Sequence, residues 1–335
     1  MRQAGRYLAD YRALRKRYSL LEICRQPDLA VAVTLQPVDL IDVDAAILFS
    51  DLLLPLVPLG LDLDFVAGEG PAIANPVRAA DDVERLREFE PRESLAHVLD
   101  TIQLLRHELA DRVPLIGFGG APFTLAAYAI EGGPSTTYAR TKAFMYSQPR
   151  AWHRLCDRLS TLMVSYMQAQ VEAGAQAIQI FDSWAGTLGR ADYREFALPH
   201  STQIFSGLRA AGVPLIHFGV GTTAILPDLA AAGGDVIGVD WRQPLDEAWR
   251  TIGEERGIQG NLDPCVLLGP ADRLLAAADD VLARAAGRPG HVFNLGHGVL
   301  PDTPLAHVQQ LAEHVHAVSR KRLETPGVRS LFSEQ

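Results

Sequence analysis

The sequence predicts an α/β protein, a (β/α)8 barrel formed by a single domain over residues 1–335. Two observations lead to it. Short apolar runs of strand length recur with longer amphipathic stretches between them, the pattern of a parallel sheet covered by helices. Nearly every run is followed by polar residues or glycines, whereas a doubly wound open sheet concentrates its ligands at one switch point. A chain of 335 residues, 48% of them apolar, is long enough to bury one large core.

The runs lie at 45–49, 114–118, 177–181, 213–218, 236–239, 257–259 and 292–295. After them come Ser50-Asp51, Gly119-Gly120, Asp182-Ser183, Gly219-Val220-Gly221, Asp240-Trp241, Gly260-Asn261 and Gly296-His297-Gly298. Amphipathic helices are expected at 149–173, opened by a proline, and at 191–211; both close on an Ala-Gly pair. A β-hairpin inserted after the first run is expected from 61–66 and 71–77, turning at Ala67-Gly68-Glu69-Gly70. The tail 325–335, with its proline, glycine and charges, is expected to fray. Seven runs are one short of a closed barrel, and the eighth would precede Arg2.

A net charge of −9 argues against nucleic acid or an anionic membrane as the main partner, so an anionic ligand must be met by local positive charge. Cys24, Cys156 and Cys265 are odd in number and form no CxxC, which places the chain in a reducing cytoplasm rather than a disulfide framework. No run of eighteen apolar residues and no signal peptide occurs, so a soluble protein is expected. No metal is expected. H-E-x-x-H and paired His/Cys spacings are missing, as are the dinucleotide and Walker glycine patterns and the G-x-S-x-G elbow.

Arg2, Arg6 and Arg15, with Gln3, gather cationic and amide donors in one short segment, and arginine suits bidentate carboxylate recognition. Alone, the segment reads better as a solvated basic helix face. Asp51 closes the first run, where a carboxylate would look toward the barrel mouth or simply cap the next turn. Asp182 and Ser183 repeat that pattern, with helix capping as the alternative. His297 sits between two glycines, which suits close approach by a ligand. Tyr128 reads as a packed aromatic unless its phenol faces the cavity.

Taken in order, Met-Arg-Gln-Ala-Gly-Arg-Tyr at 1–7, Phe-Ser-Asp at 49–51, Gly-Ala-Pro-Phe-Thr-Leu at 120–125 and Glu-Gly-Gly at 131–133 resemble the uroporphyrinogen decarboxylase family. So do Phe-Asp-Ser-Trp-Ala-Gly at 181–186, Gln-Gly-Asn-Leu-Asp-Pro at 259–264 and Asn-Leu-Gly-His-Gly at 294–298. The resemblance runs from Met1 to about His316. It implies a cofactor-free (β/α)8 barrel, usually a homodimer, that acts on a small molecule by removing carbon dioxide from the four acetates of uroporphyrinogen. It also implies a helix and a first strand ahead of the opening motif, which this sequence lacks.

By the same resemblance, Asp51 would accept hydrogen bonds from the pyrrole N–H groups. Arg2, Gln3, Ala4, Gly5, Arg6 and Arg15 would hold substrate carboxylates, and Arg2 would assist proton delivery. Tyr128, Ser183 and His297 match substrate-contacting positions, with Tyr128 and His297 set beside Asp51 and Arg2 as catalytic. Phe123 stands where the family more often has tryptophan, a change expected only to reshape packing. Two other readings compete: a zinc methyltransferase of the corrinoid and methionine-synthase group, whose His-x-Cys cysteine is Gly219 here, and a porphyrin-binding protein without turnover.

Overall fold

The computed structural model describes residues 3–66, 70–253 and 255–324, with side chains as far as Arg320. The tail 325–335 and the hairpin residues Ala67, Gly68 and Glu69 lie outside the described residues, as do Met1 and Arg2 of the opening motif. All seven expected runs contain strands: β1 (Ala46–Ile47), β4 (Leu115–Gly120), β5 (Ala177–Asp182), β6 (Leu215–Gly219), β7 (Val236–Gly238), β8 (Gly257–Leu262) and β9 (His291–Leu295). They pair in parallel as one sheet in the order β1-β4-β5-β6-β7-β8-β9, each strand joined to the next by helical segments. The hairpin forms too, as antiparallel β2 (Leu63–Val66) and β3 (Gly70–Ile73).

One contact reveals the curl of the sheet. Gln259 Nε2 on β8 donates to Gln179 Oε1 on β5 at 3.3 Å, although two strands separate them. Three interstrand steps would set these side chains about 14 Å apart on a flat sheet. The sheet must therefore bend until its inner surface faces itself. Partners in register share a face, so Phe118, Gln179, Phe181, Phe218 and Gln259 all point inward. Phe118, Phe181 and Phe218 meet edge to face across three strands at 5.7 and 5.8 Å between ring centres.

The outer face is covered by helices, chief among them Pro149–Ala173, whose bounds match the sequence expectation. Gly117 and Gly119 of β4 turn toward it, and a Cβ on either would collide with Gln170 or Met163. Their absent side chains set how closely helix and sheet approach. Phe123 is fully buried and packs on Trp152 at 5.7 Å between ring centres, as a core aromatic should.

The single helix expected at 191–211 is instead three pieces: Arg190–Asp192, a π-helical turn over Tyr193–Ala197, and Leu198–Leu208. Pro199 is the cause. It has no N–H to offer Glu195, so the ladder shifts by one residue and the Leu198 N–H bonds the Tyr193 carbonyl.

Two glutamine amides stand in for missing strand partners. β1 is two residues long, and beyond it the Phe118 N–H donates to Gln170 Oε1 while Gln170 Nε2 donates to the Phe118 carbonyl, both at 3.0 Å. Gln170 itself is fully buried. On the far edge of β1, Gln3 Nε2 donates to the Ala45 carbonyl at 2.7 Å and the Ile47 N–H donates to Gln3 Oε1 at 3.0 Å. Replacing Gln170 with leucine would leave a buried N–H and C=O without partners, at about 2–4 kcal/mol. A urea titration should show the Gln170→Leu midpoint lowered accordingly; an unchanged midpoint would mean the amide adds nothing to the sheet.

Candidate active site

Because the seven strands are parallel, the residues following them lie at one end of the sheet. Asp51, Tyr128, Ser183, Asp240, Asn261 and His297 all belong to segments leaving these carboxyl ends. Within this group the contacts define two walls.

The first wall joins Tyr128 to Ser183. Helix Pro122–Glu131 leaves β4 with a proline in its first turn and ends at Gly132, whose φ of +81° suits the left-handed stop. On it Tyr128 is half-buried, and its ring lies 3.7 Å from that of Trp184, centre to centre, at 33°. Tyr138 flanks the same indole at 4.7 Å. Trp184 directly follows Ser183 in the turn leaving β5, so the aromatic stack fixes the backbone that carries this serine.

The second wall surrounds Asp51. Its carboxylate Oδ1 accepts the Leu53 N–H at 2.9 Å, so the capping role weighed for it is present, and the residue is half-buried. Helices Ala9–Arg15 and Leu20–Arg25 pack nearby. The buried thiol of Cys24, on the second of these helices, is pushed up by desolvation and further by Asp51, and pulled back by Arg15 and Arg25. One thiol thus senses Asp51 and Arg15 together, placing a candidate anion-binding cation and the candidate catalytic carboxylate in one electrostatic neighbourhood. Arg15 Nη1 donates to the Tyr18 carbonyl at 2.9 Å.

The opening motif is arranged as a tight turn. Ala4 and Gly5 are buried, the Leu8 N–H donates to the Gly5 carbonyl at 3.0 Å, and the Arg6 side chain is exposed. The Arg6 and Tyr7 carbonyls are held by Arg12 Nη1 at 2.8 and 2.9 Å. Gln3 spends its amide on β1, as described above. Arg2, the first of the candidate cations, lies outside the described residues. His297 is exposed after β9, with its ring edge-on to Trp241 at 6.4 Å, and Trp241 in turn stacks under the Arg242 guanidinium at 4.3 Å.

The family model for uroporphyrinogen decarboxylase (URO-D) matches residues 1–318. A uroporphyrinogen decarboxylase of Carboxydothermus hydrogenoformans is 52% identical over 95% of this chain and 91% of its own length. One of Sorangium cellulosum is 53% identical over 97% of this chain and 93% of its own. The chain belongs to the uroporphyrinogen decarboxylase family. Among solved structures, a methyltransferase from Methanosarcina mazei superposes with a TM-score of 0.73 at 22% identity, covering 90% of this chain and 88% of that one. A B12-independent methionine synthase from a Shewanella species gives 0.56 at 12% identity, covering 89% and 88%. At these identities the likeness is one of fold.

The His217-Phe218-Gly219 segment is where the zinc reading would need a His-x-Cys pair. His217 points to the outer side of β6, is fully buried, and contacts the Leu229 carbonyl through Nδ1 at 3.1 Å. Gly219 supplies no thiolate, and a Cβ there would press on Thr222 and Leu229. Among the described residues no three His, Cys, Asp or Glu side chains gather to hold a metal ion.

Asp182 also faces outward, in register with Gly219 and beside His217, away from the site it borders in sequence. Burial pushes its carboxyl up to about 7, with the Thr124 and Ser201 hydroxyls offsetting part of the rise. Burial likewise pushes His217 down to about 4. At 4.0 Å between Oδ2 and Nε2 the two do not hydrogen-bond, and between about pH 4 and 7 both are uncharged. The sequence assigns no individual role to Thr124, Trp184, Asp240 or Asn261, although each lies in a strand-end or family motif. The spacing of Thr124 and Tyr128, one helical turn apart, was the signal for the first.

A carboxyl whose native pKa lies above its unfolded value contributes stability that is complete below about 3.8 and lost as pH rises to about 7. His217 acts the other way, losing stability as pH falls from 6.5 to about 4. Asp182→Asn removes only the first effect. Its unfolding free energy relative to wild type should therefore improve by about 2–3 kcal/mol between pH 5 and pH 8. A difference independent of pH in urea titrations would contradict this.

Proposed function

We propose that this protein is a carboxy-lyase that removes carbon dioxide from the four acetate side chains of uroporphyrinogen III, giving coproporphyrinogen III in porphyrin and haem biosynthesis. The observation that carries this reading is family membership over residues 1–318, with about half of the residues identical to those of relatives named for the activity. The residue chemistry at the strand ends supports it.

Loss of carbon dioxide from an acetate leaves an electron pair on the methylene carbon. Protonating the adjoining pyrrole lets the ring accept that pair, so no cofactor is needed and the enzyme's task is to stabilise a cationic ring. Asp51 is the catalytic carboxylate in this mechanism. It accepts the pyrrole N–H groups and opposes the charge that develops on the ring. Arg2, Ala4, Gly5, Arg6 and Arg15 form the wall that holds the acetate and propionate carboxylates, Gln3 fastening that segment to β1. Arg2 assists proton delivery, a role that rests on the resemblance. Tyr128, Ser183 and His297 contact the macrocycle, Tyr128 and His297 taking part in catalysis. Uncatalysed decarboxylation of this kind calls for barrier lowering on the order of 20 kcal/mol, which one carboxylate cannot supply without preorganised cations and exclusion of water.

The same reading takes the seven parallel strands as members of a (β/α)8 barrel forming one domain over 1–335, working as a homodimer in the cytoplasm. No helix among the described residues is long and apolar enough to cross a membrane.

Anaerobic incubation with uroporphyrinogen III, followed by chromatography of the seven- to four-carboxylate products, tests the activity directly. Product should accumulate with the wild-type chain; tight binding without product would instead favour a tetrapyrrole-binding protein. Asp51→Asn keeps an acceptor for the Leu53 N–H but removes the charge, and should lower kcat by on the order of 100-fold or more. An unchanged kcat would take Asp51 out of the mechanism.

A further inference from the structure

The two faces of β5 carry different things: its inner face carries Gln179 and Phe181, and its outer face carries Asp182, fully buried beneath helix Pro122–Glu131. Thr124 of that helix, also fully buried, meets Asp182 there. Its hydroxyl donates to Asp182 Oδ1 at 3.1 Å and accepts the Trp184 N–H at 3.3 Å. A single hydroxyl therefore ties the helix that bears Tyr128 to the strand end and to the turn that bears Ser183. We propose that Thr124, anchored on Asp182, is a positioning residue that sets the Tyr128–Trp184 stack and the Ser183 turn in one fixed relation for the decarboxylation.

Four further contacts continue this bracing around the carboxyl ends. Gly186, two residues past Trp184, lies against the Val220 and Gly221 carbonyls so closely that a Cβ would collide with them. The Gly221 N–H donates to Asp240 Oδ2 at 2.6 Å, and Asn261 Nδ2 donates to the Asp240 carbonyl at 2.9 Å. Gly296 lets the strand before His297 approach the Trp241 N–H, where a Cβ would come within 2.6 Å. A continuous line of side-chain and backbone contacts thus runs from Thr124 to Gly296, next to His297, through the ends of β5, β6, β7, β8 and β9. Thr124 begins this line, and its hydroxyl both donates and accepts in it. A valine of the same shape would do neither.

The inference rests on the proposed decarboxylase activity. Misplacement of a contacting group by about 1 Å costs up to about 100-fold in rate, so Thr124→Val should lower kcat/KM for uroporphyrinogen by about 10- to 100-fold. Thr124→Ser restores the hydroxyl and should recover activity to within about threefold of wild type. This rescue separates positioning from volume. Should Thr124→Val fail to fold, Thr124→Cys, a weak donor of similar size, carries the same comparison against Thr124→Ser. Wild-type kcat/KM in the valine or cysteine variant, with only the unfolding midpoint moved, would overturn the proposal. A second readout is independent of turnover: the near-ultraviolet circular dichroism of the Tyr128–Trp184 pair, taken as the difference from Trp184→Phe. Thr124→Val should diminish that signal and Thr124→Ser should keep it; an identical signal in both would sink the proposal. Absence of turnover in the wild type would instead count against the activity itself.

Discussion

The bend of the parallel sheet is the constraint on which the other features depend. A parallel strand presents N–H and C=O groups along both edges, and each buried one needs a partner. As the sheet curls far enough for Gln179 to meet Gln259 at 3.3 Å, neighbouring strands diverge in length and some edge groups outrun their partners. Gln170 meets those left at Phe118, and Gln3 meets those at Ala45 and Ile47. Each amide offers one donor and one acceptor at a spacing that imitates a strand. The consequence for the site is direct, because Gln3 belongs to the same short segment as the candidate cations. Closing the edge of β1 also fixes where Arg6 and the helix carrying Arg15 begin.

The positions of the strands were legible because a strand buried on both faces must be apolar along its length, and seven such runs stood out. The hairpin and the helix Pro149–Ala173 were legible for similar reasons of local chemistry: glycines in a turn, a proline at a helix start. The break at Pro199 was local as well, yet the amphipathic pattern on either side masked it, since a one-residue π-turn shifts the helix face by too little to disturb the pattern. The parts that stayed hidden are the long-range ones. Nothing near Gln170 in the chain says that its amide will meet Phe118, and nothing near Thr124 points to Asp182, 58 residues on.

Candidate site residues follow the same division. Asp51, Ser183 and His297 were singled out because the carboxyl end of a parallel strand is visible in sequence. Tyr128 was found only through the family motif, since an aromatic within an apolar helix looks the same whether it packs or faces a cavity. In the structure the ring is packed on Trp184 at 3.7 Å, against the turn that carries Ser183.

Asp51 and Asp182 illustrate how far environment outweighs pattern. Both follow an apolar run, both precede or adjoin a serine, and by sequence alone they are interchangeable as mouth carboxylates. The strand pleat separates them. Asp182 is the last residue of β5 and falls on the outer face, where helices exclude water and its carboxyl rises to about 7. Asp51 lies beyond the end of β1, half-buried, with Arg15 and Arg25 within electrostatic reach of the thiol beside it. A group held uncharged by burial is poorly suited to oppose a cationic ring, but well suited to fasten hydroxyls such as that of Thr124. A carboxylate near cations and open to the strand ends is suited to the opposite task. Ending a strand on its outer face and lying in the loop beyond a strand thus give two aspartates of similar sequence context opposite environments.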